Sequence, residues 1–185
     1  MTLSNDHEQQ SWWILLAQSG SHEALNALFK SIQEPLFAYI STLVNDRALA
    51  EDILQEVFIR IYRKLKWLKE PEAFRAWTYQ IATREVFRYL KRERHWREQI
   101  RDEEKLNLIP AENNSETFAT ELLQQLPGMV ANLPPRSRAV VVLRFMHEMS
   151  LVETAAVLGI PVGTVKSRLS YALQVMRRQL HAQTK

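Results

Sequence analysis

Two stretches of this sequence carry side chains whose types and spacing could do chemistry, and in both the chemistry is contact with a polyanion. Between Trp67 and Arg101, the aromatic residues Trp77, Tyr79, Phe87, Tyr89 and Trp96 interleave with Arg75, Arg84, Arg88, Lys91, Arg92, Arg94 and Arg97. Aromatic faces stack on unpaired bases while cations hold the backbone; at ~1–3 kcal/mol per stacked base, this is comparable to opening a base-pair step. Part of the aromatic set is expected in a core, Trp77 first, because it shares a helix face with Ile81. The second stretch, Leu151 to Leu169, has helix-turn-helix spacing. Ser150 and Glu153 form a capping box for its first helix. Ala155 is small where two helices would cross, Gly159 permits a tight turn, and Leu158, Ile160, Val165 and Leu169 seal the crossing. Thr164, Lys166, Ser167, Arg168, Ser170 and Tyr171 spread over the front of the second helix, the one that enters a major groove in this motif. Lys166 and Arg168 suit phosphates or guanine, and Ser167 is adaptable.

Other chemistries find no footing. His7, His22, His95, His147 and His181 form no metal-ligand spacing with carboxylates, so no metal is expected. There is no phosphate-cradling Gly loop, and zero Cys excludes a thiolate nucleophile, a thiolate zinc site and a disulfide framework. Asp52 and Glu56 share a helix face but have no neighbouring pocket-forming loop, which favours a solvated or partner-facing role over paired acid–base catalysis. The expectation is a protein with no catalytic residues and no cofactor. The most apolar short run, Trp12 to Ala17, is six residues, against the roughly 20 needed to span a bilayer. Acidic Asp6 and Glu8 before it argue against a signal peptide. A cytoplasmic location is expected.

The elements that must position these residues are helices. Gly is only 4 of 185 residues and helix formers dominate, which argues against a turn-rich β fold. Residues 11–44 read as two helices broken near Gly20-Ser21, with Pro35 a possible end or kink in the second. A third helix starts after Asp46 as N-cap, with an apolar stripe of Ala50, Ile53, Leu54, Val57, Phe58, Ile61, Tyr62 and Leu65. A loop over 66–70 leads to Pro71 at a first helical position, and a long fourth helix is predicted to about Arg97. Residues 102–120 lack periodicity and read as a flexible acidic linker. A helix over Arg136 to Met146, a short one ending at Leu158 and one from Thr164 toward Leu180 follow. The net charge of +3 conceals a pattern: −6 over residues 1–59, +8 over 60–101, −5 over 102–127 and +6 over 128–185. Two basic blocks around an acidic spacer suggest two separate contacts with one polyanion.

The run from Ala50 to Tyr62, AEDILQEVFIRIY, resembles the region-two signature of bacterial sigma factors. Phe74-Arg75-Ala76-Trp77 with Ile81-Ala82 is similar to the next part of that region. Leu133-Pro134, Arg138 through Leu143, and Gly163-Thr164-Val165-Lys166-Ser167-Arg168-Leu169 resemble region four. Order, separation and size point to the extracytoplasmic-function group. The resemblance implies an all-α protein of two small helical domains, 11–101 and 121–185, joined by the linker 102–120.

The resemblance also implies a specificity subunit, monomeric within the holoenzyme, that binds core RNA polymerase, directs it to promoter DNA and helps open the duplex. Asp52, Gln55 and Glu56 would meet the coiled-coil clamp of the largest catalytic subunit. Lys66, Lys69, Phe74, Arg75, Trp77, Arg84, Arg88 and Lys91, on the 66–75 loop and the fourth helix, would take the −10 element. Thr164, Lys166, Ser167, Arg168 and Tyr171 would read the −35 element, and apolar residues of the same domain would hold the polymerase flap. An anti-sigma factor is a further expected partner. The chain departs from the family pattern at Arg84 and Arg88, where Asn and Asp are usual, and at Ser170-Tyr171, where a basic residue often sits. Two other classes stay open: a stand-alone helix-turn-helix regulator, and a degenerate sigma-like adaptor without promoter recognition.

Overall fold

The structure, a computed structural model, describes residues 3–92 and 127–183. Every regular element among them is helical. The first group comprises α1 (Leu3–Gln18), α2 (His22–Val44), α3 (Arg47–Lys64) and α4 (Phe74–Leu90). The second comprises α5 (Pro127–Ala131), α6 (Pro135–Val141), α7 (Leu151–Leu158) and α8 (Val162–Gln183). The linker expected over 102–120, and the predicted extension of the fourth helix to Arg97, lie outside the described residues.

Local chemistry sets most boundaries. Gly20 (φ 103°) takes the left-handed backbone that separates α1 from α2, and the Ser21 hydroxyl accepts from the Ala24 N–H at 3.2 Å as N-cap. Asp46 does the same for α3, accepting from Leu49 N–H at 3.0 Å. Pro35 does not end α2, which runs through it; it sits on the exposed side of the helix. The buried side, Leu28, Ile32, Leu36, Tyr39, Ile40 and Leu43, continues through it. On α3 the stripe Ala50, Ile53, Leu54, Val57 and Ile61 is buried, but Tyr62 is exposed. The fourth helix is shorter at its start than the sequence suggests, because Pro71–Ala73 forms a separate 3₁₀ turn. The helix expected over Arg136 to Met146 is also split. It is α-helical only to Val141, and Val142–Met146 is a wider π turn closed by His147 N–H to the Val142 carbonyl at 3.1 Å.

Sequence reading leaves open whether the two groups touch. They pack directly, α4 against α7 and α2 against α6. Arg138 of α6, 9% exposed, crosses to α2, where Nη1 donates to the carbonyls of Leu43 (2.9 Å) and Thr42 (3.3 Å). Its Nε and Nη2 donate to the Leu133 carbonyl at 3.2 and 2.9 Å, and Nη2 also to that of Ala131. One guanidinium thereby serves carbonyls at the ends of α2 and α5, which helix geometry leaves without intrahelical partners. Farther along the seam, Arg75 donates to the His147 carbonyl and Gln80 Nε2 to that of Ala156 at 3.3 Å. The Tyr79 hydroxyl lies 2.8 Å from His147 Nδ1, and the Tyr39 ring meets both rings edge-on.

The seam has two measurable signatures. Arg138→Ala removes charged donors from several carbonyls at once, and is expected to lower unfolding free energy by about 2–4 kcal/mol in urea denaturation. Burial first, and then the Arg75 guanidinium, lowers the His147 pKa from 6.5 to about 4. The unfolded chain therefore binds a proton that the packed chain refuses between those values. Stability is full above pH 6.5 and falls as pH drops toward 4. His147→Gln is expected to flatten that part of the urea-midpoint profile, and an unchanged slope contradicts the assignment.

Candidate nucleic-acid and partner interfaces

The face of α3 opposite its buried stripe carries acid. Asp52 and Gln55 are exposed and Glu56 is half-buried, all three brought to one side by helical spacing. Glu56 is not isolated: its Oε1 lies 3.1 Å from Arg60 Nη2 and 3.8 Å from Arg88 Nη2. Arg88, expected to face DNA, also donates to the buried Glu85 carboxylate. The acidic face of α3 and the basic face of α4 are thus joined by ion pairs, a connection that sequence reading did not anticipate. Arg84 on α4 and Lys91 just past its end are exposed. With Arg88, they border an open groove of about 400 Å³ whose far wall is Val157, Leu158 and Gly159 at the helix-turn-helix.

The aromatic residues divide differently from the sequence expectation. Phe74 is fully buried and Tyr79 nearly so, which makes both core residues whose rings cannot reach a base in this arrangement. Trp77 is half-buried, its ring centroid 6.1 Å from that of Phe74, and Phe87 packs partly against the core. Among the exposed rings outside the expected site set are Tyr62, 58% exposed at the end of α3, and Trp67, 64% exposed in a 3₁₀ turn; Trp12 on α1 and Tyr89 on α4 are exposed as well. Lys66 Nζ lies 4.3 Å from the Trp67 ring centroid. A cation beside a solvent-facing indole is the pairing that stacking on an unpaired base calls for. Spacing alone put Tyr62 in the apolar stripe, because one residue decides whether that position faces inward. Lys69 is exposed beside this pair. Arg75 is exposed overall, with its guanidinium engaged by the second helical group.

In the helix-turn-helix, the capping box is complete. Ser150 Oγ accepts from Glu153 N–H at 3.1 Å, and Glu153 Oε2 accepts from Ser150 N–H at 2.7 Å. Those bonds hold the Glu153 carboxyl below its usual range. Gly159 caps α7 in the left-handed region (φ 64°), and buried Ala155, Val157, Val165 and Leu169 form the crossing. α8 begins two residues earlier than expected, the Pro161 carbonyl accepting from Thr164 and Val165 N–H. At its start Lys166 is exposed, and Thr164, Ser167, Arg168 and Tyr171 are half-buried. Ser167 Oγ donates back to the Thr164 carbonyl at 3.1 Å, and Ser170, expected on the front, is buried. No cluster of metal-ligating residues occurs among the described residues, and no described helix is long and apolar enough to cross a membrane.

Comparisons with known proteins agree with this layout. Residues 28–96 match the Sigma-70 region 2 family and residues 130–178 the Sigma-70, region 4 family. The ECF RNA polymerase sigma factor SigW of Bacillus subtilis is 28% identical, spanning 88% of this chain and 92% of that protein. The RNA polymerase sigma-E factor of Streptomyces coelicolor is 33% identical, spanning 81% of this chain and 82% of its own length. Among solved structures, CnrH in complex with the cytosolic domain of CnrY superposes with a TM-score of 0.67 at 22% identity, covering 94% of this chain and 98% of that one. The sigma factor RpoE of Bartonella quintana, solved with the anti-sigma factor NepR, gives a TM-score of 0.63 at 20% identity, covering 84% of this chain and 96% of that one. With both regions present in order and relatives matched over most of their length, the chain belongs to the RNA polymerase sigma factors, in their extracytoplasmic-function group.

Proposed function

We propose that this sigma factor engages core polymerase through the α3 face of Asp52, Gln55 and Glu56. The 66–75 loop and α4 then take the −10 element, with Lys66, Lys69, Arg75, Arg84, Arg88 and Lys91 as its cations, and the start of α8 takes the −35 element. Trp67 joins the first set as the ring best exposed for stacking. The residue ranges 11–101 and 121–185 act as the two contacting domains, 102–120 as their tether. The chain has no catalytic role of its own, works in the cytoplasm beside polymerase, and is held in check by an anti-sigma partner. The observation that carries this reading is the pairing, in one chain, of an exposed acidic helix face with a separate basic helix-turn-helix. A stand-alone helix-turn-helix regulator would leave α1 to α4 without a task.

The two elements force a movement. Centred some 25 base pairs apart, they lie roughly 85 Å apart along B-form DNA at ~3.4 Å per pair. Two helical groups packed against each other cannot cover both. The tether over 102–120 has a covalent reach of at most roughly 68 Å at ~3.4 Å per residue, and the breadth of the two domains it joins makes up the remainder. Polymerase supplies the free energy for opening by binding the separated form better than the packed one.

Mixing the full chain with core polymerase is expected to give a complex that starts run-off transcription on the promoters it recognises. Absence of both association and transcripts overturns the proposal. Lys166→Ala or Arg168→Ala is expected to weaken promoter binding by the holoenzyme. Where the lost contact is to phosphate, the slope of log affinity against log salt also drops by about one. An unchanged −35 footprint in both variants contradicts the assignment.

A further inference from the structure

Between the two candidate faces of the first helical group sits a carboxylate to which the proposed contacts give no task. Glu85 of α4 has a side chain only 7% exposed, yet it meets two guanidinium groups. Arg60 Nε of α3 lies 2.6 Å from Glu85 Oε1, an ion pair in which the Nε hydrogen is not aligned for a hydrogen bond. Arg88 donates to Glu85 Oε2. Both arginines also approach Glu56 Oε1, at 3.1 and 3.8 Å. Two cations and two anions therefore alternate around a closed square, with no net charge. The square borders a cavity of about 120 Å³ that Asp52 and Arg92 also line.

Partly exposed ion pairs add little to stability, typically ~0–1 kcal/mol each. Their consequence here is what Glu56 presents to a partner. With Glu85 ionised, the two arginines divide their attraction between two carboxylates. With Glu85 neutral, both turn to Glu56, and the patch acquires a charge of +1. A partner surface that reads Asp52 and Glu56 must itself be positive, so it would meet an occupied carboxylate and a repelling charge.

We propose that Glu85 is a positioning residue for polymerase binding: by holding Arg60 and Arg88, it leaves the Glu56 carboxylate available on the α3 face. The inference rests on the reading of that face as the polymerase contact, and on no DNA contact.

The test is a titration of the labelled full chain with core polymerase in the absence of DNA, with the melting temperature of each variant measured alongside. Glu85→Gln keeps the shape and removes the charge; its Kd is expected to rise roughly three- to tenfold. Arg88→Gln leaves the opposite imbalance and is expected to tighten binding by up to about threefold, an effect of the same origin and opposite sign. The double variant restores neutrality and is expected to return to within about twofold of the parent. Parent-like binding by Glu85→Gln overturns the inference, as does failure of the double variant to recover. Affinities that fall in all three variants in step with melting temperature mark a merely structural role and overturn it too. Should Glu85→Gln fail to fold, Arg88→Gln decides alone: tighter binding supports the inference, and unchanged or weaker binding overturns it. A parent chain that does not bind polymerase at all overturns the polymerase reading itself, a result distinct from any variant effect.

Discussion

A guanidinium donating to backbone carbonyls is the contact on which the arrangement of this sigma factor depends. Arg138 stitches α6 to the last turn of α2, and Arg75 stitches α4 to the turn after α6. Carbonyls at helix ends have spare acceptor capacity, and a buried cation needs acceptors, so each group meets the other's requirement. Around these contacts, Tyr39, Tyr79 and His147 close a small ring cluster, and α7 settles along α4. Beside these polar contacts, buried apolar residues of both groups belong to one continuous cluster, so the seam is an interface with both polar and apolar parts. The proposed binding to two separate promoter elements requires this interface to part.

Charge organises the rest. α3 turns the carboxylate of Asp52 outward beside the neutral amide of Gln55, and α4 turns base outward at Arg84, with Lys91 just past its end. Where those faces meet, Glu56, Arg60, Glu85 and Arg88 cancel one another. Two packed helices, with Ile53, Val57, Ile61, Ile81, Ala82 and Val86 buried, thus present outer faces of opposite sign. The packed form also sets the turn of the helix-turn-helix across an open groove from the cations Arg84, Arg88 and Lys91.

Much of this was legible in the sequence. The Asp46 cap, the Ser150–Glu153 box and the left-handed Gly159 follow from local rules and are placed as the residues predict, as is the apolar stripe of α3 except at Tyr62. The interleaving of base and aromatic on the fourth helix was visible too, but which rings face water was not. Phe74 and Tyr79 were taken into the core and Trp67 was left outside, because burial depends on neighbours remote in the chain. The π turn after Val141 and the inward side of Ser170 depend on the same remote packing. The Glu85 square and the Arg138 bridge were illegible for a related reason: their partners are brought together only by the packing of helices.

Separation of the packed halves when polymerase and promoter are bound is open to direct measurement. The chain has no Cys, so Ser19→Cys and Val152→Cys, at exposed positions in neither proposed interface, admit a pair of spin labels without background. The distance between them, measured by electron–electron dipolar spectroscopy, is expected to be single and narrowly distributed in the free chain. In the promoter-bound holoenzyme it is expected to lengthen by tens of ångström, as the roughly 85 Å spacing of the two elements requires. A distance that stays the same in a transcribing holoenzyme would contradict the account.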